Sequence, residues 1–110
     1  MLLTLLFSFG GGLLGANAVP HFVKGITKEH YPCIFGNSPV PNLIAGWVGL
    51  ILAGWLLYAS DLPKHPAPCA AAAAIGALLI GLFHARIGAF GRKETQASPV
   101  SGIAGRIRRE

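Results

Sequence analysis

Three long stretches of this chain are apolar and almost without charge, and they limit what it can fold into. Residues 1–19 (MLLTLLFSFGGGLLGANAV) and 43–59 (LIAGWVGLILAGWLLYA) carry no charge. Residues 69–90 (CAAAAAIGALLIGLFHARIGAF) are interrupted only by His84 and Arg86 near the end. A bilayer core is about 30 Å thick, and a helix rising about 1.5 Å per residue crosses it in about 20 residues. Backbone polar groups find no water there, so such segments must be helical. The expected fold is an all-α membrane protein with three transmembrane helices in a small antiparallel bundle. The spans occupy about 1–19, 43–59 and 69–90 within one domain at 1–90. An interfacial loop fills 20–42, and a basic flexible tail fills 91–110.

Charged residues make up 12% of the 110 positions, against about 25% in soluble domains. With 53% hydrophobic residues, the composition excludes a nucleic-acid-binding module, a disulfide scaffold and a disordered tail. Proline marks the boundaries: Pro20 after the first span, Pro39 and Pro41 before the second, Pro63, Pro66 and Pro68 before the third. Proline suits a helix's first turn, where the N–H has no intrahelical partner anyway. Ser38 and Asn42 are the candidate caps of the second helix.

Basic residues in short loops set orientation. Lys24 and Lys28 in the first loop join Arg92, Lys93, Arg106, Arg108 and Arg109 in the tail, against Lys64 alone in the second loop. The expectation is a multi-pass protein of the bacterial inner (cytoplasmic) membrane, with the N-terminus outside and the tail inside. Ala16-Asn17-Ala18 resembles a signal-peptidase site. No basic n-region precedes it, however, and cleavage would put the basic tail outside. Near anionic lipid each basic residue is worth about 1 kcal/mol, so the tail is expected at the membrane surface.

Helices in lipid associate through small residues that let backbones approach. Candidate packing rows are Gly11 and Gly15 on the first span, Ala45, Gly49 and Ala53 on the second, and Ala73, Ala77, Gly81 and Ala85 on the third. These faces fit packing within the bundle and docking onto a partner's helices. Phe22, Lys24, Trp47, Trp55, Tyr58, Arg86, Arg92 and Lys93 are the expected interfacial anchors. Asn17 and His84 are the intramembrane polar residues. Such groups are costly and often functional. For His84 a hydrogen bond to a neighbouring helix is the leading reading.

No catalytic, cofactor or metal site is expected. Glu29, Asp61, Glu94 and Glu110 lie in loops or the tail, and none pairs with another. His30 and Cys33 have a spacing that could share a metal, but about four ligands are needed and only His21 joins them on that side. His65 and Cys69 fall across the membrane, which also forbids a Cys33–Cys69 disulfide within the chain.

The strings Asn17-Ala18-Val19-Pro20-His21-Phe22-Val23 with Gly25, then Tyr31-Pro32 and Phe35, then Ser38-Pro39-Val40-Pro41-Asn42, form a pattern. It resembles a bacterial family of small integral membrane proteins with N-x-x-x-H-F-x-x-G and Ser-Pro-x-x-Asn segments and no established activity. Phe90-Gly91-Arg92 resembles the close of its last helix. Tyr31 stands where that pattern has Phe, Pro41 is additional, and Gly46-Trp47 reverses its Trp-Gly order. The resemblance implies three spans and a meaningful first loop, and it carries no catalytic residue. Taken together, the residues predict a non-catalytic accessory subunit of a larger respiratory or photosynthetic membrane complex, contacting lipids and larger subunits and no nucleic acid. The alternative is a self-assembling homo-oligomer with its own lipid- or ion-related activity around His84 or Asn17.

Overall fold

The computed structural model describes residues 1–88. Three helices account for most of them: α1 (Leu2–Ile26), α2 (Pro39–Ala59) and α3 (Pro66–Arg86). Each is long and apolar enough to cross a membrane. The expected basic tail, with Arg92 and Lys93, lies outside the described residues.

The helices run further into the first loop than the prolines suggest. α1 passes through Pro20 and ends at Ile26, so only about residues 27–38 form a true connection. Pro20 removes one N–H and leaves the carbonyl one turn earlier without its donor. Continuing the helix keeps the backbone groups of the following turn hydrogen-bonded and brings Phe22 and Gly25 onto α2. α2 likewise begins at Pro39 and α3 at Pro66, each with proline in its first turn. α3 ends at Arg86, with Gly88 at φ +91° just beyond it. The third span therefore ends before residues 87–90, and positions 89–90 lie outside the described residues.

α1 ends in a closed turn. Lys28 takes the left-handed conformation at φ 59°. Its N–H reaches the Gly25 carbonyl, and the Glu29 N–H reaches the Lys24 carbonyl at 3.0 Å. These two bonds satisfy carbonyls that a helix end otherwise leaves open.

α1 is the central helix. It packs on both α2 and α3, whose backbones do not meet each other. The α1–α2 seam is antiparallel and built on close approach. A Cβ on Gly25 would lie 2.5 Å from the Leu43 nitrogen, and one on Gly46 would lie 2.4 Å from the Phe22 nitrogen. Further along, Gly49 faces Ala18, Gly15 faces Ala53, and Gly11 faces Leu57. Small residues thus recur at three- and four-residue steps down both helices, the spacing that keeps one face toward a partner.

The α1–α3 contact is parallel and tighter. A Cβ on Gly12 would lie 2.0 Å from the Ala73 carbonyl oxygen, and one on Gly76 would lie 2.2 Å from the Phe9 carbonyl oxygen. Nothing larger than hydrogen fits at either position.

Of the small residues singled out from the sequence, Gly11, Gly15, Gly49, Ala53 and Ala73 face another helix. Ala45 lines a cleft, and Ala77 is half-buried. Gly81 has nothing within 4 Å of a Cβ, and Ala85 is exposed. The row from Ala73 to Ala85 therefore does not stay on one neighbour. Positions four apart advance about 400° on a helix with about 3.6 residues per turn, so the row drifts about 40° at each step. Gly12, Gly25, Gly46 and Gly76 make the tightest approaches without belonging to any of the expected rows.

Candidate functional site: a polar node and the cleft beside it

Asn42 lies one turn inside α2 and is fully buried. Its amide nitrogen faces three backbone carbonyls: Tyr31 at 2.9 Å, Ser38 at 3.0 Å and Asn37 at 3.2 Å. That leaves its oxygen to accept from His21 Nδ1 at 2.7 Å. Asn42 is therefore not the helix cap the sequence suggests. Ser38 holds the N-cap position, without a side-chain cap bond. Asn42 instead ties the 27–38 connection to α1 and α2.

The rest of the connection folds on this node. The Tyr31 N–H reaches the Asn37 carbonyl at 3.0 Å. Asn37 Oδ1 accepts from the Cys33 N–H at 3.2 Å. The Tyr31 ring meets His21 edge-to-face at 5.1 Å, and burial pushes its phenol above the ordinary range. Lys24 pairs with Glu29. This hydrogen bond and charge hold the Glu29 carboxyl below its usual range.

A second polar contact joins α1 to α3. His84 Nε2 donates to Asn17 Oδ1 at 2.8 Å. The two intramembrane polar residues thus meet across a helix pair, as the leading reading of His84 has it. His84 Nδ1 and Ser8 Oγ are enclosed without a partner among the described residues.

A cleft of about 540 Å³ lies alongside these contacts. It opens on α1 between α2 and α3, because those two helices do not close over it. Asn17, His21 and His84 contribute its polar groups; Leu14, Leu52, Ile80 and Phe83 supply much of its apolar wall. Cys33, Ile34 and Phe35 of the connection stand at its upper end.

The expected anchors divide. Trp47, Trp55 and Tyr58 are exposed on α2. Trp55 and Tyr58 sit in its last turns, but Trp47 lies eight residues in, about 12 Å along the axis. It is not at the span end, because α2 starts four residues earlier than its apolar run. Phe22 and Lys24 belong to α1 and not to a loop, and Phe22 backs onto Gly46. Arg86 is exposed at the end of α3.

Among the described residues no group of three or more His, Cys, Asp or Glu side chains could hold a metal. Cys33 and Cys69 are free and buried, and they sit at opposite ends of the helices. Asn17 and His84 stand out in the sequence, whereas His21 has there no role beyond a metal alternative and Asn42 none beyond a cap. One signal lies in the sequence: Asn17, His21 and Asn42 are polar positions of the N-x-x-x-H-F-x-x-G and Ser-Pro-x-x-Asn segments, and the fold gathers them at one end.

The fold and site define a small multi-pass helical membrane protein with a polar node at one membrane face. Comparisons with protein-family models, with curated proteins and with solved structures find no match.

Proposed function

We propose that this chain is a non-catalytic accessory subunit of a larger complex of the bacterial inner membrane, respiratory or photosynthetic in type. The observation that carries the reading is the outward side of α3. Ala70, Gly81 and Ala85 are exposed along it and Ala74 is half-buried, with exposed Leu78 among them, and no described residue lies within 4 Å of a Cβ on Gly81. Lipid tails gain little from such a surface, whereas another helix can approach its backbone closely. α1 has already used its own small faces on α2 and α3, so this side is left for a larger neighbour.

Gly81→Leu is expected to leave the fold intact, because nothing among the described residues lies within 4 Å of a Cβ there, and to abolish co-purification with larger subunits in mild detergent. A native gel with mass spectrometry on a tagged chain reads this directly. Unchanged recovery of the same partners would remove α3 as the docking side. Migration of the wild type as a small homo-oligomer would favour the self-assembling alternative.

The orientation belongs to the same proposal: N-terminus outside, the 27–38 connection and the C-terminus cytoplasmic. Lys64→Cys, in the second loop, is expected to react with an impermeant maleimide on intact spheroplasts. Lys28→Cys is expected to react only after permeabilisation. The reverse pattern would invert the topology.

A further inference from the structure

We propose that the cleft between α2 and α3 binds a lipophilic molecule with a hydroxyl head group, held by His21 and Asn17. The argument begins with Asn42. Its amide nitrogen faces three carbonyls, which fixes its oxygen toward His21. A carbonyl oxygen only accepts, so His21 Nδ1 must carry the proton. A neutral imidazole has one proton, so Nε2 of His21 presents a bare lone pair.

Among the described residues Nε2 has no hydrogen-bond partner, and it is not one of the enclosed polar atoms. Asn17 is in the complementary state. Its oxygen accepts from His84 Nε2, and its amide nitrogen is neither partnered among the described residues nor enclosed. Both side chains line the cleft. They are four residues apart on α1, hence one above the other on the same face.

The pair offers one acceptor and one donor at adjacent positions. A hydroxyl is the smallest group that answers both, donating to His21 Nε2 and accepting from Asn17 Nδ2. A carbonyl or an ether can only accept, and would leave Nε2 unanswered. Apart from His84 the remaining wall is apolar, and the volume falls within the roughly 300–1,000 Å³ common for small-molecule sites. The depth is also appropriate. His21 stands near the membrane face closed by the 27–38 connection, and Leu14 and Leu52 lie toward the bilayer interior. A head group at His21 would therefore send its chain inward between α2 and α3. A long-chain or prenyl alcohol and an alkyl hydroquinone share this chemistry. The site is independent of the outward side of α3, so either proposal can fail alone.

The test uses the full chain in phosphatidylcholine nanodiscs with a diazirine-bearing hexadecanol and its methyl ether. The alcohol is expected to label cleft peptides about tenfold more than the ether, the factor that one additional hydrogen bond is worth. His21→Phe should lower alcohol labelling to the level of the ether. Leu52→Trp fills the apolar end without touching the polar pair and should abolish labelling by both. If His21→Phe fails to fold, the alcohol–ether ratio and Leu52→Trp still decide. Competition by dodecanol or by a decyl hydroquinone separates the two sources, and displacement by either one supports the site. Equal labelling by alcohol and ether, or labelling that survives Leu52→Trp, would overturn the proposal.

Discussion

Gly12→Ala is expected to loosen α3 from α1 and to lower stability in detergent by about 2–3 kcal/mol, the upper range for overpacking a close contact. The added carbon would sit 2.0 Å from the Ala73 carbonyl oxygen. That neighbour is backbone, so no rotamer change relieves the clash and one helix must move. Gly76→Ala should behave alike, since its Cβ would lie 2.2 Å from the Phe9 carbonyl oxygen. Gly54→Ala and Gly81→Ala, where nothing lies within 4 Å, should leave stability unchanged. Steric-trap or SDS unfolding of the four variants gives the comparison. Equal stability across all four would mean that α1 and α3 do not pack at the Gly12–Gly76 crossing. Separation of α3 should also break the 2.8 Å bond between His84 and Asn17.

The second large effect concerns Asn42. Replacement by Leu keeps roughly the volume but removes every partner of the node. The His21 proton and the carbonyls of Tyr31, Asn37 and Ser38 lose their bonds together. Each buried polar group left unsatisfied costs about 1–3 kcal/mol. Some of these groups can turn to water at the membrane face, so about 3 kcal/mol is expected for the whole. The loss falls on the 27–38 connection, and Cys33 reports it because its thiol is buried there. Opening made easier by about 3 kcal/mol should raise the rate of maleimide attack on Cys33 about a hundredfold, at about 1.4 kcal/mol per decade. Cys69, at the other end of the helices, should react as before. Asn42→Asp should be worse than Asn42→Leu, because a carboxylate oxygen would face carbonyl oxygens where the amide donated. Unchanged reactivity of Cys33 in both variants would dismiss the node as the fastener of the connection.

Much of the architecture was readable from one property. Apolar runs of bilayer length have few options, so three helices and their approximate positions followed from hydropathy and length. The ends were less readable. Proline at position 20 looks like a stop, yet one missing N–H costs less than exposing the following turns. Tertiary contact with α2 carries α1 on to Ile26.

The candidate site was legible in part. Asn17 and His84 drew notice because polar side chains are rare within spans, but their pairing joins residues 67 positions apart. No local spacing encodes that. Asn42 looked like a helix cap because Asn near a helix start often is one. Its actual task depends on where the chain returns after α1, and that return is set by packing.

By itself, the sequence determined the class of fold, the number of spans and the presence of close-packing faces, because these depend on composition and local period. Which small residues meet a neighbour was decided only by the tertiary structure. Helix geometry makes Gly11 face α2 and Gly12 face α3, about 100° apart. It also turns Gly81 outward on the same row that begins with Ala73 at α1. The cleft is likewise a tertiary product. It exists because α1 lies between α2 and α3 and those two helices stay apart.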